Sequence, residues 1–327
     1  MHILIIGAAG MVGRKLAGQL GANGILDNGE ITALSLVDVV EPTAPAGFIG
    51  RVATQAVDLS TPGVAAALIA TRPDMIFHLA AIVSGEAEQD FDKGYRINLD
   101  ATRFLFEAIR HEGERQPYRP RVVFTSSIAA FGPPFPDVID DDFIATPATS
   151  YGTQKVMAEL LLADYTRRGF FDGIGIRLPT ICIRPGKPNL AASGFFSNIL
   201  REPLVGREAV LPVSDDVCHW HASPRSAVGF LRHAASMDLA PLGGRRTLTM
   251  PGLAATVAEQ IEALRRAAGE ATVKLIRREP DPTIARIVAG WPRRFDASRA
   301  AELGFRAETS FDEIIRVHIE DELGGHL

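Results

Sequence analysis

The sequence predicts an α/β protein: a doubly wound parallel sheet covered by helices, with a smaller mixed α/β lobe for substrate. Three observations carry that expectation. Short apolar runs alternate with longer amphipathic stretches through the first half of the chain. The first of those runs passes straight into a glycine-rich turn, and after about Arg177 the alternation gives way to segments punctuated by proline. The 327 residues suffice for a full sheet domain and a second lobe. The sheet domain is expected over 1–176, and 177–327 mainly as the second lobe, with some segments returning to the first.

In order, His2-Ile3-Leu4-Ile5-Ile6 reads as a buried strand, too short for the apolar region of a signal peptide. Strands follow at 31–37, 51–57, 75–79, 121–126 and 173–177. Helical spacing lies between them at 11–20, 62–70, 91–112 and 151–168, and later at 256–268 and 311–321. Pro179, Pro185, Pro188, Pro203, Pro212 and Pro224 break the second lobe into short elements. Phe104-Leu105-Phe106 and Leu160-Leu161-Leu162 place consecutive apolar residues on helices. Consecutive apolar residues cover more than one helix face, so a second face is expected to meet a partner, most simply another copy of the chain.

Composition narrows the class. Hydrophobic residues at 46% and charged residues at 22% exclude a largely disordered chain. The net charge is -5, and the pairs Arg265-Arg266, Arg277-Arg278 and Arg293-Arg294 stand apart among acidic and apolar residues, so no nucleic-acid partner is expected. No run approaches the ~20 apolar residues of a bilayer span, so no membrane is expected either. Cys182 and Cys218 have no CxxC spacing, which argues against a disulfide framework or zinc site and fits the cytoplasm.

Gly7-Ala8-Ala9-Gly10-Met11-Val12-Gly13 follows the first strand and opens the first helix. Gly7 permits a tight turn, Gly10 removes a Cβ where a pyrophosphate approaches backbone N–H groups, and Gly13 lets helix pack on strand. The second strand ends at Asp38, whose carboxylate can accept both ribose hydroxyls of an adenosine and repels a 2′-phosphate, favouring NAD over NADP. The interval from Gly7 to Asp38 is longer than usual, and residues 21–29 read as a loop that accounts for it. Asp58-Leu59 after the third strand could meet the adenine amine, a helix-capping Asp being the alternative.

Tyr151 and Lys155 stand four apart, on one face of a helix. A phenol with pKa near ~10 is a poor base at neutral pH. A neighbouring ammonium, together with the positive nicotinamide of oxidised NAD, stabilises the phenolate. Upstream, Phe124-Thr125-Ser126-Ser127 ends a buried strand in hydroxyl residues, and a serine there can hold the reacting oxygen while the tyrosine takes its proton. Ser126 can also serve simply to pack the strand end.

The glycine turn, Asp38, His78-Leu79-Ala80-Ala81, Asn98, Ser126-Ser127 with Phe131-Gly132, the Tyr151/Lys155 pair and the tail Phe295-Asp296-Ala297-Ser298-Arg299 together resemble the extended branch of the short-chain dehydrogenases/reductases. The resemblance covers essentially the whole chain and implies a Rossmann-type fold. It implies Ser127, Tyr151, Lys155 and Asn98 as catalytic residues, with Asn98 supporting the lysine; Asn98 as a cap within its own helix stays open. It further implies an NAD site formed by Gly7, Gly10, Met11, Val12, Gly13, Asp38, Asp58, Leu59, Leu79, Ala80, Ala81, Asn98, Tyr151, Lys155 and Pro179. Dimerisation through the two apolar-rich helices is common in this branch.

Many members act on nucleotide sugars. Here Thr180 stands where those enzymes usually carry an Asn, and Val217 precedes Cys218-His219-Trp220-His221 without the diphosphate-binding Arg. A diphosphate without it loses charge-assisted hydrogen bonds worth ~1.5–3 kcal/mol each. A smaller substrate is therefore expected, meeting Ser84, Ser127, Tyr151, Thr180, Arg184 and His219. Arg184 before Pro185-Gly186 suits a carboxylate clamp or a loop brace; His219 and His221, two apart on a strand, lack a third ligand nearby, so no metal is expected. With the segment Ile82-Val83-Ser84-Gly85-Glu86, the resemblance points to oxidation of a short sugar acid at C2, D-erythronate as the single expectation. A nucleotide-sugar 4-epimerase or dehydratase that retains its NAD is the alternative. A catalytically silent NAD(H) sensor would be expected to have lost the Ser127/Tyr151/Lys155 set.

Overall fold

The computed structural model describes residues 1–26, 29–186 and 192–326, so Pro188 lies outside the described residues. The N-terminal apolar run forms β1 (His2–Ile6), whose Ile3, Leu4, Ile5 and Ile6 are all buried because helices cover both faces of its sheet. The other strands of that sheet are β2 (Ala33–Asp38), β3 (Arg51–Ala56), β4 (Met75–His78), β5 (Arg121–Ser127), β6 (Asp172–Leu178) and β7 (Thr247–Thr249), in the order β7-β6-β5-β4-β1-β2-β3. Pairing is parallel between β3 and β2, β2 and β1, β1 and β4, and β4 and β5. The winding reverses at β1, with β2 on one side and β4 on the other. That reversal opens a crevice at the carboxyl ends of the strands, the position where ligands bind in such sheets.

Four helices position the site: α1 (Met11–Asn23), α2 (Val64–Ile69), α3 (Ala101–Arg115) and α4 (Ser150–Arg167). Leu105, Phe106 and Ile109 of α3 and Ala158 and Leu162 of α4 pack with Leu4, Ile6, Ile76, Val122 and Phe124 of the sheet. Each buried Leu, Ile, Val or Phe among them contributes about 1.5–3 kcal/mol by leaving water. Tertiary contacts gather Met1–Ala130, Thr149–Arg177 and Val228–Leu248 into one compact unit around this sheet.

Two expected elements differ. Apolar spacing predicts one helix over 91–112, whereas the chain forms a short helix Phe91–Gly94, a π-helical turn Tyr95–Asp100, and only then α3. The wide turn coincides with buried Asn98, whose amide reaches out to Ile82 and Gln154. Residues 21–29 are not a plain loop: α1 runs to Asn23, Gly24 ends it at φ 64°, and Ile25–Leu26 pairs antiparallel with Gly29–Glu30.

The second unit gathers Phe131–Ala148, Leu178–Ala227 and the chain from Thr249 onward. Its three-stranded sheet sets Cys218–Ala222 between Leu253–Thr256 and Thr180–Ile181. Helices Gly194–Leu204, Val257–Ala268 and Phe311–Glu322 close over a core that includes Phe196, Ile199, Ile261, Leu264, Phe311 and Ile315. Thr256 and Glu259 form a capping box, which starts the second of these helices one residue later than expected. Of the arginine pairs, Arg265 and Arg266 bind Glu262, Glu270 and Asp312, while Arg277 and Arg278 bind Glu208, Glu279 and Asp215. Among the described residues no helix is long and apolar enough to cross a membrane.

The packing of α1 on β1 yields a paired prediction. A Cβ on Gly13 would stand 2.1 Å from the Gly7 carbonyl oxygen, whereas one on Gly18 would meet nothing within 4 Å. Gly13→Ala should therefore lower unfolding free energy by about 1–3 kcal/mol or prevent folding. Gly18→Ala, in the same helix, should raise it by about 0.5–1 kcal/mol. Denaturant titration of the two variants checks the contrast, and equal effects would contradict it.

Candidate active site

The glycine turn is shaped by close approach. Gly7 adopts φ 94°, and a Cβ there would lie 2.6 Å from the Ala80 nitrogen. The turn is tied down by Gly7 and Ala8, whose N–H groups both donate to the Val37 carbonyl. Leu79 and Ala80 likewise donate to the Ile6 carbonyl, so the segment from Leu79 to Ala81 begins directly against the turn. Gly10 stands at the N-cap of α1 and brings no side-chain cap; Met11, Val12 and Gly13 form the first turn. Uncapped N–H groups at the positive end of a helix suit a pyrophosphate. Asp38 ends β2 beside them, with Oδ2 accepting from Ala9 N at 2.9 Å and Oδ1 from Val39 N at 2.7 Å. Each carboxylate oxygen keeps lone-pair capacity for a ribose hydroxyl. The uncapped N–H groups at the start of α1 and the Asp38 carboxylate beside them fit NAD.

Asp58 caps no helix, since the helix that follows, α2, has Gly63 at its N-cap. Its Oδ1 accepts from the backbone and hydroxyl of Ser60, and Arg96 binds its Oδ2 at 3.2 Å. Those hydrogen bonds and the arginine outweigh desolvation and hold its carboxyl below the usual range. Leu59 beside it is buried.

The proposed acid/base residues come from two neighbouring elements. β5 ends in Thr125, Ser126 and Ser127. Thr149 caps α4 by accepting from Gly152 N at 3.0 Å, so Tyr151 and Lys155 fall on its first turns. Lys155 is buried; its ammonium donates to the Thr125 carbonyl at 2.8 Å and lies 4.9 Å from the Phe124 ring and 5.7 Å from the Tyr151 ring. Burial pulls its pKa down to about 8, and Glu159 acts against that shift. His78, also buried, is pulled to about 3 by desolvation and the nearby Lys155 charge, so it is neutral. Ser127 Oγ accepts from Ala129 N at 3.1 Å. Asn98 accepts from Ile82 N at 2.9 Å and donates to Gln154 Oε1 at 2.7 Å. It thus ties the end of the segment following β4 to α4, on the residue next to Lys155. Ser84 opens the short helix Ser84–Gln89 just beyond.

Sequence reasoning missed Glu159 and Gln154. Glu159 lies four residues after Lys155, a spacing that was available as a signal, but the same spacing is commonplace on solvated helix faces.

In the second unit, two expected substrate contacts are turned toward the protein. His219 is buried, with Nδ1 2.9 Å from the Pro292 carbonyl and Nε2 2.8 Å from Thr180 Oγ1. Burial lowers its pKa to about 4, while the Pro292 hydrogen bond raises it and Arg184 lowers it. Arg184 donates from Nε to the Ile181 carbonyl at 2.9 Å and from Nη2 to Ser193 Oγ at 2.7 Å, so it braces its own loop with these two donors. Pro179 precedes Thr180 and is buried.

A profile of the NAD dependent epimerase/dehydratase family matches residues 3–216. The chain is 46% identical over 323 residues to a D-erythronate dehydrogenase of Cupriavidus necator, covering 98% of each chain. It is 44% identical over 323 residues to a D-erythronate dehydrogenase of Haemophilus influenzae, covering 99% of this chain and all of that one. It is also 68% identical, at a TM-score of 0.98, to a crystal structure described as the nucleoside-diphosphate-sugar epimerase from Agrobacterium tumefaciens, covering 100% of this chain and 95% of that one.

The buried ammonium makes a signed prediction. Lys155 has a folded pKa of about 8 against 10.5 for the free group. Between those values the unfolded chain binds more protons, so this residue's contribution to stability rises with pH across that window. Lys155→Met removes the dependence. Its stability relative to the natural chain should fall by on the order of 3 kcal/mol between about pH 7 and pH 10.5. Denaturant titration at both pH values measures it, and a difference that does not change with pH would contradict it.

Proposed function

Because the chain belongs to the NAD-dependent epimerase/dehydratase family, we propose that it oxidises the C2 hydroxyl of D-erythronate to the 2-oxo acid. The observation that carries the substrate is the end-to-end match to two D-erythronate dehydrogenases of different bacteria. In this reading the substrate hydroxyl sits against Ser127 and Tyr151, and the Tyr151 phenolate takes its proton as the C2 hydrogen leaves as hydride. Lys155 stabilises that phenolate through its charge. When bound along the glycine turn and Asp38, NAD supplies the hydride acceptor. Asn98 holds the Ile82 backbone and the helix bearing Lys155 in fixed register.

The name of the Agrobacterium structure favours a second reading, epimerisation of a nucleotide sugar with NAD retained between cycles. Against it stands Val217 where a diphosphate-binding arginine is usual in such enzymes. The two readings differ in net redox change. A screen of four- to six-carbon aldonates beside UDP- and dTDP-sugars, followed by NADH absorbance, should give NADH with D-erythronate and none with nucleotide sugars. Tyr151→Phe should lower that turnover by ~10²–10⁴ while NAD binding persists. Turnover of a nucleotide sugar without added NAD, and of no aldonate, would overturn the proposal.

The same reading includes a homodimer in the cytoplasm. Leu160 is 66% exposed and Met157 40% exposed on α4, an apolar patch on a face turned away from the core, and a second copy of the same helix would cover it. Cys182 and Cys218 stand as thiols, which suits a reducing compartment. Light scattering at micromolar concentration should give twice the mass of one chain, and Leu160→Glu should give a folded single chain. A natural protein of single-chain mass would remove the dimer.

A further inference from the structure

One turn beyond Lys155 on α4, Glu159 is a buried carboxylate between two strands. Its Oε1 accepts from Ser126 Oγ of β5 and from Arg177 Nε of β6 at 2.9 Å, and its Oε2 accepts from Arg177 Nη2 at 2.7 Å. The guanidinium grips it at two points, with the pair's side chains 14% and 7% exposed. Buried ion pairs of this kind are weak sources of stability, since an apolar replacement is often as stable. A role beyond folding is therefore worth seeking, and the position supplies one.

Groups from three elements face Lys155. β5 presents the Thr125 carbonyl and the Phe124 ring, β4 presents neutral His78, and α4 presents Tyr151 and Glu159. Among them Glu159 carries the negative charge, and Arg177 stands behind it with a positive one. We propose that Glu159, fixed by Arg177 and Ser126, is a positioning residue whose charge keeps the Lys155 ammonium protonated beside Tyr151. Arg177 sets how much of that charge Lys155 senses. The direction agrees with the opposition of burial and Glu159 at Lys155.

The proposal rests on Tyr151 and Lys155 as the acid/base pair, yet its effect on Lys155 is readable without turnover. The chain has five lysines, so NMR of side-chain-labelled lysine gives a tractable spectrum, and the Lys155 signal is the one lost in Lys155→Met. In Glu159→Gln the Lys155 midpoint should fall by about one pH unit or more. In Arg177→Met it should rise by a comparable amount, because the carboxylate is no longer neutralised. Glu159→Asp, which keeps the charge, should restore most of the natural midpoint. A purely structural pair gives no reason for opposite signs. No movement in Glu159→Gln, or movement of both variants in one direction, overturns the proposal. Where Glu159→Gln does not fold, Arg177→Met decides: a rise supports it, no change or a fall overturns it. The alkaline limb of kcat/KM should shift with the NMR midpoint. Turnover of D-erythronate with unmoved midpoints would sink this proposal alone, while moved midpoints without any dehydrogenase activity would sink only the assigned reaction.

Discussion

An ammonium group taken out of water is the constraint around which the sheet domain is arranged. Lys155 is buried with the Thr125 carbonyl as its hydrogen-bond acceptor and aromatic faces around it. An ion in that position needs nearby negative charge or dipoles, or it gives up its proton. The carbonyl is available because β5 ends one strand away from β6 with its last residues beside α4, and Glu159 is available because a helix places residue i+4 over residue i. His78 can be buried next to Lys155 because an imidazolium, unlike another lysine's ammonium, gives up its proton and becomes neutral at little cost near neutral pH.

The cofactor side obeys a different constraint, steric and not electrostatic. Gly7 approaches Ala80 and Gly13 approaches Gly7 more closely than any side chain permits, so helix, turn and neighbouring strand form one unit without room for adjustment. Asp38 then bonds to Ala9 in the turn itself. The carboxylate expected to select the ribose is thereby fixed by the same turn that would hold the phosphates, and positioning of the two ends of the cofactor is coupled through a few backbone atoms.

The sheet domain was legible because its signals are periodic or sterically forced. Buried strands are continuous apolar runs, and the GxxGxxG turn, which chance glycines could imitate, takes its meaning from Asp38 at the end of the next strand. The π turn at Tyr95–Asp100 was not legible: it is set by the partners that buried Asn98 finds in Ile82 and Gln154, which spacing along one helix does not show. Polar residues were legible as types but not as pairs. Asp58, Arg184 and His219 each had the chemistry to meet a ligand, and each found a partner close in space: Ser60 and Arg96, Ile181 and Ser193, Pro292 and Thr180. Sequence reports a donor or acceptor, whereas only the fold reports who has already claimed it.

That distinction changes what the second unit can offer. The Pro292 carbonyl can only accept, so His219 Nδ1 carries the proton and, in the neutral ring, Nε2 is an acceptor. The Thr180 hydroxyl must then donate to Nε2, which leaves its oxygen with lone pairs and no proton to give. Because burial keeps His219 neutral far below physiological pH, this polarity is fixed and not tunable by pH across that range. A polar group meeting Thr180 from outside must therefore bring a donor: a hydroxyl satisfies that requirement, and a carbonyl or carboxylate oxygen does not. The buried histidine thus contributes no contact of its own, yet it determines which chemical partner the exposed side of the threonine accepts.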